Sequence, residues 1–384
     1  MPVTQPMHTW SDTEPQKRAI TDVISIIDPR DTPVVSYFGL DGSPGKFEIV
    51  NWPSRKVEWL EDTLAPMEDS IGTNWESDWT TLVVSEGKKF KIGDVLEVYG
   101  AVSGTYETNI VRVTAVSTND LTVTPNWDGA NPTGTVAASG SKVTLIGSAR
   151  KEGADADYER ALTSVSAPYN YTQIFQDDLH ITRSQDKIAQ YGKTTEWEFQ
   201  AAKRMPELLR QVERTFFLGV RKEDNSTNLV RAMGGVETFV TTNTTDMEGG
   251  ALTTKAVHDL VQDCWSAGGF PSLIVCNAWV KRKLSSLFEG FVRTQRTETT
   301  GGVRIDTIAT EFGELDVLMD RWCPAAKLYV LQPEYIGFLA YDSFFWEPLA
   351  KVGDAEKGQV VGEYTLVVKH NTAHGYLENI SVTS

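Results

Sequence analysis

Between residues 81 and 149 the chain carries five short β-branched runs and no helical period. They are Leu82–Val84, Asp94–Val98, Asn109–Val116, Leu121–Thr124 and Lys142–Ile146, bounded by Gly, Asn, Asp and Pro. Gly93-Asp94, Asn119-Asp120 and Asp128-Gly129 supply turns. Strands so short and so regularly punctuated predict a small five-stranded sandwich or barrel. The segment contains no His, which argues against metal chemistry within it.

The remaining chain reads as mixed α and β around that module. Residues 1–44 resemble an arm, with a short helical stretch at Ala19–Ile27. Pro29 and Pro33 then force their predecessors toward extended geometry, and Asp41–Gly45 is a turn cluster. Lys46–Val50 is extended. Residues 150–182 form a return path, extended from Ala167 to Phe175. Residues 185–222 hold the longest helix. Met205, Leu208, Leu209, Val212, Phe216 and Val220 recur at spacings of three and four, and Glu207, Arg210, Glu213 and Arg214 fall on the polar side. Pro206 removes one N–H inside this pattern, which predicts a kink or a restart. Residues 229–340 read as α/β, with a helix over Lys255–Ala267 closed by Gly268-Gly269. A buried strand follows at Ser272–Cys276. Asn277 is the N-cap of a helix over Ala278–Phe288 that bears Lys281, Arg282 and Lys283. A polar loop at 295–302 precedes strands around Val303–Ile308, Leu315–Met319, Lys327–Leu331 and Ile336–Tyr341. Val360–Lys369 and Tyr376–Val382 are the last strands, joined by a turn at His370–Gly375.

Charge is distributed unevenly. Acids outnumber bases 52 to 36, for a net charge of -16. That balance opposes general nucleic-acid binding, which needs clustered cations. Between Val57 and Trp79 lie Glu58, Glu61, Asp62, Glu68, Asp69, Glu76 and Asp78, with no Lys or Arg. Trp52, Trp59, Trp75 and Trp79 lie in or beside the same loop-like stretch. Either these side chains fold back onto their own domain, or the stretch is a protruding arm that docks on a neighbour. On the second reading its partner is a neighbour's basic surface, with Arg204, Arg210 and Arg214 of the long helix as candidates.

Catalytic patterns are missing. Gly42, Gly45 and Lys46 lack Walker spacing, and neither GxSxG nor HExxH occurs. His370 and His374 are spaced i, i+4 but fall on a turn, with no third ligand indicated. His258 and Cys264 share a helix six residues apart and face different sides. Lys281–Lys283 reads as a solvated face or a phosphate contact. The three cysteines suit a reducing compartment. No signal peptide and no run of 18 apolar residues is evident. No cofactor, metal or membrane is indicated, and a structural or assembly protein is the expectation.

Ordered motifs sharpen that expectation. Phe312-Gly313-Glu314, Asp320-Arg321-Trp322-Cys323-Pro324, Glu347-Pro348-Leu349-Ala350-Lys351, Gly362-Glu363-Tyr364-Thr365-Leu366 and Asn371-Thr372-Ala373-His374-Gly375 follow one another in the C-terminal half. Upstream stand Glu152-Gly153, Tyr171-Thr172-Gln173-Ile174-Phe175, Glu207-Leu208 with Val212-Glu213-Arg214, and Gly268-Gly269 with Lys281–Lys283. This series resembles tailed-bacteriophage major capsid proteins of the HK97-like fold, over roughly residues 20–382. The resemblance implies an α+β protein with an N-terminal arm (1–44) and an E-loop (45–80 and 150–182). It further implies an inserted all-β domain (81–149), a peripheral domain with a spine helix (183–228 and 341–384) and an axial domain (229–340). It also implies a non-enzymatic virion protein, assembled in the host cytoplasm, that forms hexamers and pentamers of an icosahedral shell around double-stranded DNA. Portal and decoration proteins are implied partners. Because the arm follows Met1 directly, scaffolding is expected to come from a separate protein or to be dispensable. A decoration or tail protein is the alternative, and a soluble hydrolase or carbohydrate-binding enzyme a third class.

Overall fold

A computed structural model of the chain describes residues 31–40, 53–76, 79–102, 105–129, 135–153, 163–188, 195–224, 229–288, 292–293, 305–351 and 353–382. The expected helix at Ala19–Ile27, the strand at Lys46–Val50, the turn at 41–45, Trp52, Asp78 and the loop at 295–302 lie outside these residues. The chain divides into two compact units. One spans Leu60–Ala167, and the other joins the residues up to Trp59 with those from Pro168 onward.

The Leu60–Ala167 unit is built from strands. Six of them form an antiparallel sheet in the order Glu68–Ser70, Lys142–Ser148, Asp94–Val102, Thr105–Ser117, Asp120–Thr124, Thr81–Val83. The two outer strands meet through a bridge between Ile71 and Val84, where Gly72 N–H donates to Val83 C=O at 2.9 Å. The sheet thus closes into a barrel, and closure removes exposed edges. Alternation at period two fills the interior with Leu96, Val98, Val111, Val113, Leu121, Val123, Val143 and Leu145. Gly100 is required where the wall approaches a second layer, because a Cβ there would lie 2.7 Å from Ala137 Cα.

All five expected strands are present, within a few residues at their ends. The acidic stretch differs from expectation. It is not wholly loop: Glu68–Ser70 supplies the sixth strand, and Trp75–Glu76 pairs with Thr135–Ala137. Trp75 is fully buried in the barrel core. Barrel closure requires that extra strand, and local composition carries no signal of it.

Among the described residues the larger unit holds six helices: α1 (Pro33–Phe38), α2 (Arg183–Lys187), α3 (Glu196–Leu218), α4 (Val236–Phe239), α5 (Thr254–Ser266) and α6 (Ala278–Leu287). A seven-stranded mixed sheet runs in the order Asn243–Asp246, Gly375–Glu378, Leu328–Leu331, Leu273–Cys276, Gly313–Met319, Ile305–Thr310, Val292–Arg293. Its two central strands, Leu273–Cys276 and Leu328–Leu331, are buried at every residue, as expected of strands covered on both faces. Val257, Leu260 and Val261 of α5 and Val280 and Leu284 of α6 pack with Ile274, Cys276 and Val330. Phe217 of α3 packs with Leu273, Val275, Tyr329 and Leu331. A separate three-stranded antiparallel sheet orders Gln173–Thr182, Ala355–Val368 and Ile336–Pro348. The final strand, Gly375–Glu378, lies in the seven-stranded sheet and not beside Ala355–Val368.

Helix α3 begins at an N-cap, where Thr195 Oγ1 accepts from Glu198 N–H at 3.3 Å. It runs unbroken through Pro206, so the expected restart does not occur. One missing hydrogen bond does not divide a helix whose C-terminal half is fixed in a core. Its buried face comprises Leu208, Val212, Glu213, Phe216 and Phe217. Met205 and Val220, expected on the stripe, are exposed, and Val220 lies past the helix end. Glu213, expected on the polar side, is completely buried.

That carboxyl group anchors the arm. Its two oxygens accept the backbone N–H groups of Val34 (2.7 Å) and Val35 (2.8 Å), first-turn donors with no partner inside α1. Val34, Val35 and Phe38 enter the same core, and the rings of Phe38 and Phe216 lie 5.5 Å apart. Trp322 Nε1–H donates to Asp31 C=O at 3.0 Å. Burial pushes the Glu213 carboxyl up to about 8, helped by the negative charges of Asp320 and Asp31 and opposed by the two N–H donors. Asp320, also buried, is pushed up to about 6 by burial.

Two outcomes follow from this packing. Phe216→Ala, at the meeting point of Phe38, Phe217 and Phe338, is expected to lower stability by about 3–5 kcal/mol in denaturant unfolding. For Glu213, the folded chain keeps its proton above the ordinary carboxyl range while the unfolded chain releases it. Stability is therefore fully present below about pH 4.5 and falls as pH rises through about 8. Glu213→Ala is expected to cost about 2–3 kcal/mol at pH 6, by leaving two buried N–H groups unpaired. It should also flatten the decline of stability between pH 6 and 9, read from denaturation midpoints at each pH.

Candidate functional site

The groups able to do chemistry are occupied in packing. His374 is buried, accepts Gln332 N–H at Nδ1 (3.1 Å) and places Nε2 3.0 Å from Lys369 C=O. Those partners fix the Nε2–H tautomer, and burial pushes the imidazole down to about 4, so it is a neutral structural residue. Burial pushes the Cys264 and Cys276 thiols up to about 12 and raises Cys323 as well, which leaves them unreactive. The His258 ring stacks on Phe288 at 5.7 Å. Among the described residues no group of three His, Cys, Asp or Glu is placed to hold a metal. No described helix is long and apolar enough to cross a membrane.

The residues expected at a subunit contact divide into two groups. Several are satisfied inside the chain. Glu58 pairs with Lys56. Glu68 pairs with Lys142 at 3.1 Å. Asp69 is held by Lys89 at 2.9 Å and accepts Glu86 N–H at 2.7 Å. Trp59 is buried beside Val57, Val367 and Phe239, and Trp75 is in the barrel core. These two tryptophans are packing residues of their own protomer, which corrects their reading as docking side chains. A tryptophan next to a hydrophobic interior lowers its free energy most by entering it. Glu61 is half-buried, and its backbone bridges Ser166. Asp62 is exposed, and Trp79 is 43% exposed.

On the basic side, Arg204 of α3 is already engaged by Asp177 (3.1 Å) and Glu207 (2.8 Å). Arg210 lies over the Trp322 ring at 5.6 Å, and Arg214 is exposed. Of the three arginines, Arg204 is thus paired within its own chain and Arg214 is left exposed.

Two features went unread in the sequence. Leu60, Leu64 and Met67 are 75%, 94% and 56% exposed, a run of uncovered apolar side chains around the acidic Glu61-Asp62 pair. On α6, Trp279, Arg282, Lys283 and Ser286 line a cavity of about 230 Å³. Their spacing of three, four and seven residues puts them on one helical face. The run Lys281–Lys283 was visible, but Trp279 as its partner needed the helix to bring it round. A second cavity, of about 250 Å³, is lined by Arg55, Glu223, Asp224, Leu229 and Arg231. Its charges are largely met within the chain, with Arg55 at 3.7 Å from Glu223 and Arg231 at 2.8 Å from Glu363.

Comparison with known proteins places this architecture. The solved capsid of cyanophage A-1(L) is 11% identical and superimposes with a TM-score of 0.54, over 98% of this chain and 100% of that one. At that identity the likeness shows the fold, which is HK97-like. The capsid of Myoviridae phage XM1 is 11% identical with a TM-score of 0.47, over 94% of this chain and 96% of that one. No curated protein sequence matches. The family described as SU10 major capsid protein matches residues 5–381, almost the full length. On that match over residues 5–381 the chain belongs to the SU10 major capsid protein family, whose members are structural proteins of the phage capsid and not enzymes.

Proposed function

We propose that this major capsid protein assembles into hexamers and pentamers that close as an icosahedral shell around double-stranded DNA. The observation that carries the reading is the family match over residues 5–381. A net charge of -16 agrees with it, since an acidic shell does not trap the duplex it surrounds. The exposed Leu60, Leu64 and Met67 agree as well, because side chains of this kind are covered when copies associate. Repeated heterologous contacts that close by symmetry need many small interfaces and no catalytic centre. Scaffolding, portal and decoration proteins complete the particle, and assembly takes place in the host cytoplasm. The β module at 81–149 is an insertion in the E-loop, and the acidic segment at 58–78 is a contact with a neighbouring subunit. The decoration, tail and hydrolase readings give way to the family match.

Negative-stain microscopy and sedimentation of the purified chain, alone and with a co-expressed scaffolding candidate, test this reading. Closed shells, tubes or capsomer rings are expected. Only monomers and small closed oligomers under both conditions would overturn it. Reversing charge with Glu61→Lys and Asp62→Lys is expected to lower particle yield while thermal unfolding of the protomer stays unchanged. Normal yield from that variant would remove the acidic segment from the subunit contact.

A further inference from the structure

A short hairpin projects from one end of the seven-stranded sheet. Its strands, Ile305–Thr310 and Gly313–Met319, are joined by Glu311 and Phe312 alone. Thr310 Oγ1–H donates to Gly313 C=O at 2.7 Å. So tight a connection holds its side chains in place before any partner arrives. Glu311 and Glu314 are exposed and flank the half-buried Phe312 in sequence. The Trp265 ring of α5 lies 5.7 Å from Phe312 and is 49% exposed. Strand Leu273–Cys276 begins level with Asp316, so Phe270, 65% exposed, lies at the same end of the sheet. Uncovered aromatic side chains beside acids suit a basic protein surface with an apolar wall, and not a phosphate backbone.

Helix α6 offers such a surface. Arg282 is exposed, Lys283 and Trp279 are half-buried, and with Ser286 they line the 230 Å³ cavity. Among the described residues neither Arg282 nor Lys283 is within ion-pair distance of an acid, and Glu311 and Glu314 are likewise without a cation. Lys281 interacts within its own chain and takes no part. One subunit holds both features and cannot join them itself. Cys276 pairs with Met319, and α6 starts two residues after Cys276. Phe312 stands seven residues before Met319, about 23 Å along the strand. The tip and Trp279 therefore mark opposite ends of the sheet. Complementary features so placed on one subunit make a head-to-tail contact between copies.

We propose that the hairpin tip of one subunit, residues 311–314, docks on the α6 face of a second copy of this chain. Phe312 meets Trp279 at the cavity, while Glu311 and Glu314 meet Arg282 and Lys283. The proposal rests on the shell reading and names one of its head-to-tail contacts.

Two single variants, Glu311→Cys and Ser286→Cys, are placed on separate chains, mixed, assembled and oxidised. The native thiols are all buried, so a disulfide-linked dimer on a non-reducing gel reports this contact, and a link within one chain cannot arise. A dimer in mixed particles, absent from particles of either variant alone, is expected. Mixed particles without that dimer overturn the docking site and leave the shell reading intact. If wild-type chains form no particles, the shell reading falls and this proposal with it.

A second measurement is independent of cysteine chemistry. The pairs Arg282→Glu with Lys283→Glu, and Glu311→Lys with Glu314→Lys, are each expected to lower particle yield at least about tenfold, with thermal unfolding of the protomer unchanged. All four substitutions on one chain exchange the signs at every contact, and yield is expected to return to within about twofold of wild type. Normal yield from either pair, or no recovery with all four, overturns the proposal. Normal yield with reduced DNA content from the α6 pair would assign that face to nucleic-acid phosphates, with the same consequence.

Discussion

The larger unit depends on burying one face of α3. Phe216 meets Phe38 of the arm, Phe338 of the three-stranded sheet and its own neighbour Phe217. Phe217 continues the contact to Tyr329 at the centre of the seven-stranded sheet. One helical turn therefore joins elements from Val34 to Val368 in a single core. The long sequence separations mean that none of these elements can complete its packing before the others arrive.

Glu213 gives that core its direction. Hydrophobic contact alone would let residues 33–38 bind at many angles, because it has no orientation. Two N–H groups aimed at one carboxyl group allow a single pose of α1. Orientation has a cost, since that carboxyl group is desolvated beside Asp320 and Asp31, and its proton affinity rises accordingly. The anchoring of the arm is thus tied to proton concentration by the same burial that makes it specific.

The barrel solves a different problem. Its strands are short, and an open sheet of them would leave two edges able to pair with other chains. The Ile71–Val84 bridge closes those edges within the protomer. What the unit leaves for a neighbour is side chains at Leu60–Met67, not free backbone, and that suits a protein whose copies must meet in defined ways at high local concentration.

Local pattern was sufficient for much of this. The five barrel strands, the α5–strand–α6 order, the Asn277 cap and the α+β class follow from period, β-branching and capping, which are properties of neighbouring residues. The ordered motifs were enough to indicate the capsid family. Tertiary structure decided the rest. Glu213 reads as a surface acid until α1, 179 positions away, brings two N–H groups to it. Trp59 and Trp75 read as docking residues because their own stretch is polar, and only long-range pairing shows that each has a core to enter. Arg204 reads as available until Asp177 closes on it. Sequence fixes which segments turn, extend or coil, since those preferences are local. Which charges are matched and which apolar side chains stay uncovered depends on partners distant in the chain, and those two properties define an assembly surface.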